Sequence, residues 1–151
     1  MRPTVEEQLL GTCRILESVV APCVADPYAR TILDGLIANL RMLTSALPAV
    51  PGFLQGDNRA TAALLGQLQA VVAPELATRI AAALARPEPD AADTVALDQR
   101  NAELRNLFSQ ALSDAGLTPA MRRAALDHMS ARAARAPMRY VSTTSPSAKA
   151  N

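Results

Sequence analysis

Aromatic residues are scarce: the 151-residue chain holds two Tyr, two Phe and no Trp. Its interior must therefore be built from Leu, Ile, Val and Ala, and Ala-rich segments poor in β-branched residues favour helices. An aromatic platform for stacking bases is missing, and a net charge of +1 creates no strong field. Nucleic acid is therefore not an expected partner. Histidine is rarer still. His128 stands alone, whereas the helical metal sites need two His at spacing four or a pair of Glu-x-x-His sets. Di-iron and hemerythrin-like readings fail on ligand count, and neither a metal nor a cofactor is expected. Cys13 and Cys23 lie ten residues apart, which is neither a CxxC pair nor a zinc pattern. On one helix they would be too far apart to bridge, so buried, reduced thiols are expected.

Other absences narrow the function classes. The six glycines form neither GxGxxG nor a P-loop. There is no G-x-S-x-G elbow that would recruit His128 into a nucleophilic triad. The carboxylates fit helix caps and polar faces, so none stands out as a general acid or base. Glu6 and Glu7 occupy the place where the apolar core of a signal peptide would begin. No apolar run reaches the roughly 18 residues that span a bilayer. A cytoplasmic protein without membrane attachment is expected.

What is present is helical periodicity. Half of the residues are hydrophobic, and a chain of this length suits one domain that buries roughly 70 % of its unfolded surface. We expect an all-α fold: a mostly antiparallel bundle of four to five helices over residues 1–136, with a flexible, disordered basic tail over 137–151. Residues 26–47 form the most regular stretch. Asp26 is an N-cap and Pro27 the first helical position. Ile32, Leu33, Leu36, Leu40, Leu43 and Leu47 then share about a third of the circumference.

The remaining helices follow from breakers and caps. Residues 4–21 make a first helix, with Thr4 and Glu7 in capping-box spacing. Pro22 ends or kinks it, and the short link predicts an antiparallel pair with the next helix. Residues 48–56, with two Pro and two Gly, read as a loop whose Phe53 and Leu54 fold back on the bundle. Asp57 then caps a third helix, interrupted at Pro74 but continued by Leu76, Ile80 and Leu84 as a kinked helix or as two. Residues 85–93 are a polar linker. A fourth helix runs from Asp93 or Thr94 through Ala115, and a fifth from Pro119 to about Ala136. Gly11, Gly35 and Gly66 fall inside helices, at about 1 kcal/mol each relative to Ala, and are expected to permit close helix packing. The sequence LLG followed by VVAP occurs at 9–22 and at 64–74, a spacing that a duplicated helical hairpin would produce.

Charge is unevenly placed. Residues 1–118 carry nine Arg against thirteen Asp and Glu, a net of −4, whereas 119–151 carry five Arg and one Lys against one Asp, a net of +5. Within the basic part, His128, Arg132 and Arg135 fall on one helical face, and Arg139 would extend it. Guanidinium groups so placed grip a phosphate, a carboxylate or an acidic partner helix. The plainer alternative is that cations near a helix C-terminus offset its dipole and stay solvated. Apolar side chains such as Tyr28, Ile37 and Met42 lie outside the central stripe. That surplus leads us to expect a non-enzymatic interaction or accessory protein that acts as a homo-oligomer. The alternative is a binder that holds an apolar anionic ligand, such as an acyl chain or a nucleotide-linked acyl group, between its helices, with the basic C-terminal helix holding the anion.

Overall fold

The computed structural model describes residues 3–113 and 116–137, and these fold as an all-α bundle. Six α-helices are formed: α1 (Val5–Ile15), α2 (Pro27–Ala46), α3 (Val50–Leu68), α4 (Pro74–Leu84), α5 (Thr94–Leu112) and α6 (Pro119–Arg135). Among the described residues no strand occurs, and no helix is long and apolar enough to cross a membrane. The chain divides into two compact units, one formed by residues 3–46 with Pro137 and the other by Leu47–Ala136.

The first unit is a helical hairpin. Thr4 and Glu7 close the capping box, with the Thr4 N–H donating to Glu7 Oε2 at 2.8 Å and the Glu7 N–H to Thr4 Oγ1 at 3.2 Å. Asp26 caps α2 by accepting from the Ala29 N–H at 2.7 Å. Pro22 neither ends the first helix nor simply bends it. The chain widens into a π turn over Leu16–Val20, where the Ala21 N–H reaches Leu16 O, and then tightens into a 3-10 turn over Ala21–Cys23. Pro22 has no N–H to give, and its ring would collide with the carbonyl four residues back; the wider turn accommodates both. The hairpin is antiparallel: Arg41 pairs with Glu17 at 2.7 Å, and Arg30 donates to Ala21 O at 2.6 Å.

The stripe on α2 is not the face that becomes buried. Ile32, Leu36 and Leu47 are exposed, while Ile37, Thr44 and Ala46 are buried. Arg41, Ile37 and Thr44 share the side turned to α1, about 100° from the centre of the leucine stripe. The expected role of the glycines is overturned as well. A Cβ on Gly11 or Gly35 would meet nothing within 4 Å, and one on Gly66 would touch only Leu84 Cδ1 at 3.9 Å. None of the three permits a close approach.

The second unit is a four-helix bundle. A 3-10 turn, Leu47–Ala49, leads directly into α3, so residues 48–56 are helical and not the expected loop. Pro51 falls in the first turn of α3, where no intrahelical donor is lost. Leu54 is buried, which offsets the weak helix propensity of Gly52 and Gly56. Asp57 is consequently no cap but a buried residue two turns into the helix. Pro74 starts a new helix, α4, after a turn, so the interrupted third helix is two. The two LLG–VVAP segments differ accordingly: the first runs on through the π turn, and the second breaks before α4. Asp93 caps α5 through the Ala96 N–H at 2.9 Å, and Thr118 caps α6 through the Met121 N–H at 3.3 Å.

Contacts fix the helix directions. Arg79 on α4 reaches Gln110, and Arg86, just beyond α4, pairs with Glu103, so α4 and α5 are antiparallel. Asn58 on α3 bonds Leu97 O on α5 at 3.0 Å, and both helices then run into one core, so these two are parallel. Thr61 and Asp57 on α3 meet His128 and Arg132 on α6, so α6 opposes α3. The order is up-down-up-down. Leu64, Leu65, Leu68, Ile80, Leu104, Leu107, Phe108 and Ala125 fill the centre.

Candidate functional site

One end of that centre is polar. Asp57, Asn58 and Thr61 project from α3 and Asn101 from α5, all within 3 % of full burial. They occupy the same stripes as the core leucines: Asp57 and Thr61 continue the line of Leu64, Leu65 and Leu68, and Asn101 that of Leu97 and Leu104. Buried polar groups of this kind must bond one another. The Asn101 amide donates to Asp57 Oδ2 at 2.7 Å and to Asn58 Oδ1 at 2.9 Å. From α6, Arg132 donates through Nε to the same Asp57 Oδ2 at 2.8 Å. Its guanidinium carbon also lies 5.5 Å above the centre of the Phe53 ring. Asp57 Oδ1 is buried without a hydrogen-bond partner. Such an atom keeps its full desolvation cost.

His128 sits beside this cluster. Its Nε2 lies 3.1 Å from Thr61 Oγ1, and its ring meets Phe108 edge-on, with centroids 5.4 Å apart at 78°. A neutral ring can accept the Thr61 hydroxyl proton at Nε2. Burial pushes the His128 pKa below its ordinary value; Asp57 opposes this, and Arg135 and Arg132 add to it.

Of the residues named from sequence, the structure brings three together. His128 and Arg132 face α3 and α5. Arg135 borders a cleft of about 200 Å³ with Ala49, Gly52, Phe53, Gly56 and Asp57. Arg139 lies outside the described residues. A second cleft, about 370 Å³, opens between α5 and α6, lined by Arg105, Phe108, Ser109, Leu112, His128, Met129, Arg132 and Ala133. Among the described residues no three His, Cys, Asp or Glu side chains gather as a metal site.

The sequence reading missed Asp57, Asn58, Thr61 and Asn101 as a group. A signal existed, since each polar residue interrupts a leucine stripe at helical spacing. Arg105 had none, because only the register of α5 against α6 places it beside Arg132. No family model, curated protein or solved structure matches the chain.

Proposed function

We propose that the chain is a non-enzymatic helical interaction protein that acts as a homo-oligomer, joined through the hairpin of residues 5–46 and the start of the following turn. The observation that supports this reading is the open leucine face of α2. Leu33, Leu36, Leu40, Leu43 and Leu47 recur at alternating spacings of three and four, the heptad pattern by which one helix seats its side chains between those of another. Leu36 and Leu47 are 54 % and 45 % exposed, flanked by Ile32 at 49 % and Tyr28 at 76 %. The hairpin buries only Cys13, Ala21, Ile37, Thr44 and Ala46, and the large cluster of buried apolar residues lies between Leu64 and Ala125.

A second copy is the occupant that the chemistry favours. On the side of the seam away from α1, the exposed Ile32 and Asn39 carry no charge, so identical copies meet there without repulsion. Arg30 and Arg41 are engaged by Asp34 and Glu17 within the hairpin. From Val5 to Leu47, nine large apolar side chains are at least 38 % exposed. Both cysteines are free, Cys23 at the surface, which suits a reducing, cytoplasmic setting.

Size-exclusion chromatography with light scattering on the full chain tests the reading. The wild type is expected to be a dimer or higher at micromolar concentration. Leu36→Glu should give a monomer of unchanged helix content by circular dichroism. A monomeric wild type, or a Leu36→Glu variant of unchanged mass, would overturn it.

A further inference from the structure

The cleft between α5 and α6 is polarised along its length. The edge contact of Phe108 with His128 sets those two residues level. One turn back along α5 stands Arg105. Because α6 runs the opposite way, Arg132 arrives at that same end. One turn forward along α5 stands Leu112, and half-exposed Met129 lies on the outer side. One end of the cleft therefore carries guanidinium groups, and the other is apolar.

The charges at the cationic end are not balanced among the described residues. Among the described residues no carboxylate lies within ion-pair distance of Arg105 or Arg135, and Asp57 takes only the Nε–H of Arg132. The terminal nitrogens of Arg132 and the whole fork of Arg105 are left for another acceptor. Two planar guanidinium groups suit a carboxylate, which each can hold through paired N–H donors. The cleft, about 370 Å³, falls at the small end of the roughly 300–1,000 Å³ typical of ligand sites.

We infer that this cleft binds a small amphipathic monocarboxylate, its headgroup between Arg105 and Arg132 and its apolar body along Phe108, Leu112 and Met129. A single negative charge is favoured because, among the described residues, Arg132 is paired with Asp57 and Arg105 has no partner. Met129, with three rotatable bonds and a polarisable sulfur, adapts to bodies of different shape. His128, at the mid-point, reports on occupancy.

The test uses the full chain, titrated with sodium octanoate by calorimetry and by NMR of the single histidine ring. Saturable binding of one octanoate per chain, with displaced His128 ring signals, is expected. Octan-1-ol, which lacks the charge, and inorganic phosphate, which lacks the body, should each bind at least about tenfold more weakly. Arg105→Ala should weaken octanoate binding about tenfold or more, with Arg105→Lys intermediate. Arg105 is exposed and has no hydrogen-bond or ion-pair partner among the described residues, so both variants should keep the wild-type thermal midpoint. Absence of saturation, equal binding of octanol or phosphate, or undiminished binding by Arg105→Ala would overturn the inference.

Discussion

Asp57 occupies a position that leucine would fill without disturbing the periodicity of α3. Its charge is met by Arg132 and by the Asn101 amide, while Oδ1 has no partner. A buried ion pair gains little over an apolar pair, because desolvation consumes most of the Coulomb attraction, but breaking one side strands the other. Arg132→Ala leaves a fully buried carboxylate and should destabilise by about 3–5 kcal/mol. Asp57→Leu combined with Arg132→Met removes both charges and the orphan oxygen, and should be neutral or stabilising. Urea denaturation of the two variants checks this; a double variant as unstable as Arg132→Ala would refute it. Asp57 was misread from sequence because Pro51, Gly52 and Gly56 before it resemble a loop. A Pro in the first helical turn is ordinary, but nothing local to the sequence distinguishes the two cases.

At the scale of the element, caps were the legible part. Thr4, Asp26 and Asp93 each announce a helix start through a side chain that satisfies an orphan N–H, and each does so, whereas Asp57 does not. The π turn at Leu16–Val20 was not legible, since it arises from how the chain accommodates Pro22. Nor was the sidedness of α2. The face with Ile37 and Thr44 also carries Arg41, and only the position of α1 turns it inward. Gly35 gives a clean measure of α2. It lies at an exposed mid-helix position, where an added Cβ meets nothing within 4 Å. Gly35→Ala should therefore stabilise by about 0.4–1 kcal/mol through the unfolded chain, read as a rise in the urea midpoint at constant slope. A fall would show that the space beside Gly35 is needed.

At the scale of the whole molecule, the all-α class followed directly from the dearth of aromatics and the spacing of leucines. The direction of each helix did not, because direction depends on contacts such as Asn58 with Leu97. One histidine in the entire chain also isolates a single term in acid stability. His128 is held below its ordinary value, first by burial. Between that lowered value and about 6.5 the unfolded chain binds a proton that the folded chain refuses. Its contribution is thus intact above about pH 6.5 and is lost as the pH falls towards the folded value. His128→Gln should flatten the decline in unfolding free energy between about pH 7 and 5.5, the range in which histidine alone ordinarily titrates; an unchanged decline would refute the assignment. The even number of alternating helices in the second unit has a topological consequence. Arg135 shares a cleft with Ala49 and Gly52, so the strand of chain entering this bundle and the one leaving it emerge at the same pole. Circular permutation, joining the two ends and opening the polar connector 85–93, would then leave every helix neighbour where it is.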